Sequence, residues 1–337
     1  MRSFLAPVPE RAVASVEPPT ISVVIPVYEA AAFVGEAVDS ALGQTVAPLE
    51  IIVCDDGSTD DLRSTLAPYG DRISIVHKEH GGLASAKNVG TQAASGEFVA
   101  FLDADNTYLP GYVEAVRELA AARPDLDVLA TDAYLELNGQ VYGRYYHGKA
   151  RFVVDDQRTG IIHQHFIVGN AAFRRERLLT VGGFDETVVA EDTDCLIRLI
   201  LDGSRAGLID EPLLVYRVRA GSLSSRRPRA LRAAADALER AHSHPSLSPS
   251  ERSFLEHELA VKRRETALAE AEEALRQGAS SARRRSLRIV FGPRGYGVAP
   301  RARALLAAAA PGTAGRYLAW KDRTSGVTRL ATRTYGR

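Results

Sequence analysis

Two carboxylates, Asp103 and Asp105, close an apolar run, Glu97–Leu102, that reads as a buried strand. Acids at that point add nothing to a core. Where a strand leaves a sheet, an Asp-x-Asp pair can hold a hard divalent cation through oxygen, and in open α/β sheets ligands collect at the carboxyl ends of strands. Two more strand ends carry polar groups: Pro26-Val27-Tyr28-Glu29 follows Ile21–Ile25, and Asp55-Asp56-Gly57-Ser58-Thr59-Asp60 follows Glu50–Cys54. Each segment alone also reads as a turn with a helix cap. Three of them at corresponding strand ends point to one ligand-bearing edge. Further on, Glu191-Asp192-Thr193-Asp194 opens a helical stripe. There the helix dipole favours an ionised carboxylate, and the neighbouring acids oppose it.

The elements that must position these groups alternate. Ile21–Ile25 is a strand ending at Pro26, Phe33–Leu42 a helix, and Glu50–Cys54 and Ile73–His77 strands. Leu83–Ala94 is a helix, Glu97–Leu102 a strand and Pro110–Ala122 a helix. This order predicts an α/β fold with a doubly wound, mainly parallel sheet and flanking helices. Beyond Asp127, Asn138-Gly139 signals a hairpin between Ala133–Leu137 and Gln140–Tyr146. Residues 147–168 read as loop-rich, Arg174–Val181 and Glu191–Leu201 as helices, and Leu208 and Leu213–Val218 as strand pieces. The Pro-rich segment 1–19 is expected to be disordered, 20–225 to form the main domain, and 226–337 to be a helical, basic C-terminal region.

Net charge is zero, but residues 226–337 hold 23 Lys/Arg against 10 Asp/Glu, and 282–337 hold 13 basic residues against Asp322 alone. Such a surplus suits an anionic partner such as a membrane surface. Arg283-Arg-Arg-Ser-Leu-Arg288, with Val290, Phe291 and Tyr296, is the candidate contact. A general preference for Arg and Ala would give the same composition, and dimerisation or cover for the main domain stays open. Nucleic acid is set aside for want of an aromatic stacking platform. Cys54 and Cys195 lie in apolar contexts and read as buried free thiols of a reducing compartment. No run reaches the ~18 apolar residues of a membrane span, and Met1–Thr20 lacks a secretory apolar core. The expected location is cytoplasmic, with room for peripheral attachment at the inner face of the cell membrane.

Taken in order, Ser22–Tyr28, Val53–Asp60, Gly82-Leu-Ala-Ser-Ala-Lys-Asn-Val-Gly90 and Phe101–Asp105 resemble the motifs of family 2 glycosyltransferases with a GT-A fold. Gly169–Arg174, Gly182-Gly-Phe-Asp-Glu186, Glu191–Asp194 and Tyr216–Ser224 continue the match over roughly 20–225. The resemblance implies an inverting transfer of a sugar from a nucleotide-sugar donor, with uridine the expected base. It implies Mn²⁺ or Mg²⁺ on Asp105, with Asp103 beside the ribose or the metal. Asp55 or Asp56 would accept from the base, and Pro26, Tyr28 and Glu29 would line its pocket. Asp192 matches the catalytic base.

Lys87 stands where Arg is commoner, near the donor diphosphate or sugar, and as Lys cannot make a bidentate contact. Arg219 replaces the family's frequent His and cannot ligate a metal. The segment with Gly221, Ser222 and Ser224 reads equally as a lid or a surface loop. Asn170, with His147, His163, His165 and Gln164, borders the expected acceptor pocket, and Glu191 joins that group. His163 and His165 would share a strand face, yet no further ligands stand at zinc-like spacing. The acceptor is a glycan, a lipid-linked glycan or a small molecule, which places the chain in polysaccharide or glycoconjugate synthesis. Two alternatives stand beside this reading. One is a degenerate nucleotide-binding or scaffold subunit, suggested by Lys87 and Arg219. The other is a sugar-1-phosphate nucleotidyltransferase, disfavoured because Pro26–Ala32 contains no Gly, Lys or Arg.

Overall fold

A computed structural model describes residues 4–5, 18–147, 151–167, 170–218, 227–292 and 295–324. The chain divides into two compact units. The first ends at Val218 and takes back His244–Ser246; the second holds the rest from Arg219. The break at Val218 lies shortly before the boundary expected near 226.

In the first unit the elements run β1 (Phe4–Leu5), β2 (Ile21–Val27), α1 (Ala31–Leu42), β3 (Glu50–Asp55), α2 (Leu62–Leu66), β4 (Ser74–His77), α3 (Leu83–Ala93) and β5 (Phe98–Phe101). They continue with β6 (Thr107–Tyr108), α4 (Tyr112–Ala122), β7 (Val128–Leu137), β8 (Gln140–Arg144), α5 (Gln157–His163), β9 (Ala172–Arg174), α6 (Arg175–Thr180), α7 (Glu191–Leu201) and β10 (Ala206–Arg217). Among the described residues one sheet forms in the order β1-β10-β7-β9-β5-β2-β3-β4, with β6 on β10 and β8 on β7. The longer strands β5, β2, β3 and β4 pair in parallel, as do β7 and β10. β9 runs antiparallel between β5 and β7 and joins the two parallel sets. The sheet is therefore mainly parallel, as expected, with helices packed against it.

Three local expectations change. Pro26 does not end its strand: β2 continues to Val27, and Pro26 pairs with Cys54. Val24 O accepts from Leu102 N on the β5 side, and Val27 O accepts from Asp56 N on the β3 side. Alternation puts Pro26 on the β5 side, past the last β2–β5 pair, Val24 with Phe101. Its missing N–H costs the ladder nothing there. The two expected strand pieces near Leu208 and Leu213 are one strand, β10, which absorbs Pro212 through register shifts on either side of it. In the segment expected to be disordered, Phe4 and Leu5 pair with Leu208 and Ile209, which corrects the expectation for those two residues; residues 1–3 and 6–17 lie outside the described set.

Val23, Val24, Ile25, Val53, Phe98, Val99, Phe101 and Leu129 fill the sheet interior. Strand ends meet water on one edge, so the acids that follow β2, β3 and β5 share that edge.

The second unit is helical: α8 (Arg227–Ala241), α9 (Pro249–Arg276), α10 (Ala282–Val290), α11 (Val298–Ala309) and α12 (Pro311–Thr324). Ser248 and Glu251 form a capping box at the start of α9. α8, α10 and α12 pack on α9.

Candidate functional site

The loops after β2 and β3 are laced together by side chains. Glu29 sits in the left-handed region (φ 48°). It is held there because its N–H donates to Ser58 Oγ and its carboxylate accepts from Thr59 N and Oγ1. Asp60 Oδ2 accepts from Ala31 N at 2.8 Å and supplies the cap that Ala30 cannot give α1. Asp55 accepts from Ser58 N and bonds His77 Nδ1. Burial resists its ionisation, but these bonds outweigh burial and hold its carboxyl below the usual range.

Asp56, fully buried, accepts from Lys78 Nζ, Gly81 N and Gly82 N, with His80 Nδ1 at 2.9 Å. Burial is again outweighed and its pKa is lowered. A carboxylate has about four acceptor positions, so Asp56 is committed to the chain, whereas Asp55 keeps acceptor capacity. The Tyr28 and His80 rings stack at 4.0 Å over this corner, both partly open to solvent. Pro26, expected to line the same pocket, is buried within β2.

One helix joins this corner to the rest of the site. Gly82, the N-cap of α3, is held by Asp56; from there α3 runs over β2 and β3. Gly90 permits that approach, since a Cβ there would lie 2.3 Å from Val24 Cγ1 and 2.9 Å from Cys54 Sγ. On its inward face, Lys87 is 1% exposed, and its Nζ donates to Glu191 Oε1 at 3.0 Å and Asp192 Oδ1 at 2.6 Å. The ammonium also lies over the rings of Phe101 (5.8 Å) and Phe184 (5.1 Å). Lys87 was expected beside the donor diphosphate or sugar. Instead it is buried and occupied by two carboxylates. The same packing places Glu191, expected near the acceptor, in a buried ion pair.

Burial raises the Asp192 pKa to about 7; Lys87 pulls it down, and Glu191 and Asp103 push it up. Burial alone would discharge Lys87, but Asp192, Glu191 and Asp103 hold it protonated, with its pKa raised. Asp192 keeps 27% of its side chain exposed, so of the two carboxylates on Lys87 it is the one an incoming molecule can reach. Beside it, Thr193 Oγ1 lies 3.2 Å from His165 Nδ1. Burial lowers the His165 pKa to about 4, which leaves a neutral ring.

After β5, Asp103 N donates to Asn170 Oδ1, and Asp103 Oδ2 accepts from Asn170 Nδ2 at 3.1 Å and from Asn106 Nδ2 at 3.3 Å. Asn170, expected at the acceptor pocket, is buried and clamps this acid instead. Both amides bond Oδ2. Burial raises the Asp103 pKa, Lys87 opposes this, and Asp105 adds to it. Two neighbouring carboxylates on a strand-end turn, one with its amide bonds confined to a single oxygen, fit a hard cation such as Mn²⁺ or Mg²⁺. Arg217 fixes the turn from behind: its N–H donates to Asn106 Oδ1, and its guanidinium to Asp105 O and Glu36. Arg219 and Ser222, with Gly221 and Ser224, lie outside the described residues.

Sequence reading passed over Asn88, next to Lys87. Its Nδ2 donates to Phe184 O and Glu186 Oε1, and its Oδ1 accepts from Phe184 N. A Cβ on Gly183 would meet that Oδ1 at 2.5 Å, and Gly182 before it has a φ of +85°, which together explain the glycine pair before Phe184. A second acid cluster also escaped notice. Asp132, His147 and Asp210 bring ligand atoms within 4.8 Å of one another. Arg144 bonds both carboxylates, so a guanidinium already offsets part of that pair's charge. His163 closes α5 and is not on a strand, which removes the expected shared face with His165.

Residues 22–181 match the family described as Glycosyl transferase family 2. An uncharacterized glycosyltransferase of Rickettsia typhi is 36% identical over 140 residues, 42% of this chain and 42% of that protein. The chain thus spans about two fifths of that relative's length. Among solved structures, the mannosyltransferase PcManGT from Pyrobaculum calidifontis, in complex with GDP-Man and Mn²⁺, superposes with a TM-score of 0.60 at 23% identity, covering 94% of this chain and 84% of that one. S. aureus TarS 1-349 in complex with UDP-GlcNAc gives a TM-score of 0.56 at 18% identity, covering 91% and 92%. The expected GT-A arrangement, a mainly parallel sheet with flanking helices and a helical C-terminal region, is borne out by these likenesses.

Proposed function

Residues 22–181 belong to glycosyl transferase family 2, and on that premise we propose that this chain moves a sugar from a nucleotide-sugar donor to an acceptor hydroxyl with inversion at the anomeric carbon. The observation that carries the reading is that Glu191 and Asp192, from a helix start, both bond the buried Lys87 ammonium, whose charge Asp103, from a strand end, also favours. Asp192 is partly open, with a pKa near neutrality, which suits a general base.

The acceptor oxygen attacks the anomeric carbon. The bond from that carbon to the diphosphate breaks with its electron pair, and the acceptor proton passes to Asp192. Lys87 orients the Asp192 carboxylate and favours its ionised form. Asp103 and Asp105 would hold Mn²⁺ or Mg²⁺, whose charge would offset that of the departing diphosphate. The Tyr28–His80 stack offers a surface to the nucleobase, and Asp55 an acceptor to its edge. A UDP-sugar is the proposed donor, from the family resemblance. The GDP-Man and UDP-GlcNAc of the similar structures support a nucleotide sugar in general. The acceptor is a glycan, a lipid-linked glycan or a small molecule. The two buried, unpaired cysteines support a reducing, cytoplasmic setting.

Asp192→Asn tests the assignment. Turnover should fall by at least ~10²-fold while donor affinity, measured by titration calorimetry, stays within twofold. Near-normal turnover would remove Asp192 from the role. A native chain that binds nucleotide sugars but transfers none would favour the scaffold reading.

A further inference from the structure

We propose that α10, α11 and α12 form an interfacial patch that docks this chain on an anionic lipid bilayer, with Arg283, Arg284 and Arg288 among the headgroups and Phe291 and Trp320 at the acyl boundary. The inference rests on the second unit alone and is independent of the glycosyl-transfer reading.

The outer stripe of α10 is Arg284, the half-buried Leu287, Arg288 and the C-cap Phe291, at i, i+3, i+4 and i+7, while Ala282, Ser286 and Ile289 turn inward. Arg283, Arg284, Leu287, Arg288 and Phe291 line one shallow concavity. Arg285 pairs with Glu270, but Arg283, Arg284 and Arg288 have no ion-pair partner among the described residues. No Asp or Glu occurs between Ala282 and Trp320. In the midst of these cations Phe291 is 81% exposed.

The neighbouring helices present more bare apolar groups. α11 leaves Leu306 71% exposed, with Val298 and Leu305 also outward. α12 shows Arg316, Tyr317 and Trp320 along one stripe, the last two rings 6.0 Å apart. Ala282, Ala307, Ala314 and Leu318 tie the three helices to Ala274 and Leu275 of α9.

Cations around a protruding Phe291, with further exposed aliphatic and aromatic groups on the helices packed next to it, match the headgroup and acyl layers of an anionic bilayer. Tyr and Trp are the residues that settle at that boundary. No described helix is long and apolar enough to cross a membrane, so the patch lies on the surface. Nucleic acid would use the arginines but has no place for Leu305, Leu306 and Val298. A second copy of the chain would set like charges face to face.

Trp320 is the sole tryptophan of the chain and reports on insertion directly. The intact protein should sediment with vesicles of phosphatidylglycerol and phosphatidylcholine in equal parts, and not with phosphatidylcholine alone. On binding, Trp320 emission should shift to the blue and be quenched by brominated phosphatidylcholine in those vesicles. R283Q/R284Q/R288Q should weaken binding ~100-fold, about fivefold per arginine, with unchanged circular dichroism. F291S should lower the binding that persists in high salt.

Equal sedimentation with neutral vesicles, or binding without any change in Trp320 emission, would overturn the proposal. So would arginine-dependent binding to a single-stranded oligonucleotide with no vesicle binding. A lipid-free dimer that already shields Trp320 would likewise assign the face to self-association.

Discussion

At the residue scale, Lys87 and Asp192 carry the proposed chemistry. A carboxyl whose pKa is raised keeps its proton to higher pH, so Asp192 is protonated, and useless as a base, below about pH 7. The kcat/KM of the proposed transfer should therefore fall tenfold per pH unit below about 7 and level off above it. Lys87 is the cation that holds that pKa down, so Lys87→Met should move the acid limb to higher pH. The same change leaves Asp103, Glu191 and Asp192 facing one another and should cost about 3–5 kcal/mol of stability, read by denaturant unfolding. An acid limb that stays in place in the variant would put the proton on another group. The Glu191-Asp192 pair was legible because it opens a helix in a recognisable order of motifs. Its partner was not: Lys87 lies 105 residues earlier. A Lys at a helix position reads as solvated until the fold buries it. The bonds of Asp56 and Asn170 were hidden for a like reason, since only the fold shows that their polar atoms are engaged by the chain.

At the scale of elements, α3 is the strut of the site. Asp56 holds its start, Lys87 reaches α7, Asn88 holds Phe184, and Gly90 lets it settle on β2 and β3. Gly90→Ala would drive a methyl into Val24, a buried β-branched residue with little room to turn. Overpacking of this kind costs about 1–3 kcal/mol, so thermal unfolding should come several degrees earlier, and nucleotide affinity should weaken with the tilt of α3. A variant as stable as the parent would show that α3 floats free of the sheet. The alternating order from β2 to α4 could be read from apolar runs and turn residues. β9 could not, because three residues carry no period and its place between β5 and β7 is set by pairing alone. β10 was read as two pieces because Asp210-Glu211-Pro212 looks like a turn, whereas two register shifts keep the strand whole.

Across the whole molecule, the division into an acidic first part and a basic last part was plain in composition. The contact pattern places the break at Val218, close to where charge and residue usage change. Composition could not say which basic residues are exposed. Arg285 is drawn into an ion pair while Arg284 and Arg288 face out on either side of Leu287. The edge on which strand ends from β2, β3 and β5 gather is read from the motifs and the alternation of elements rather than from composition, and it follows from all three running the same way. The account stands on that edge serving a diphosphate and a hard cation together. Calorimetric titration of UDP into the intact chain, with Mn²⁺ and then with the metal chelated, tests it most directly. The account predicts saturable binding that disappears on chelation; binding of equal strength without metal would contradict it.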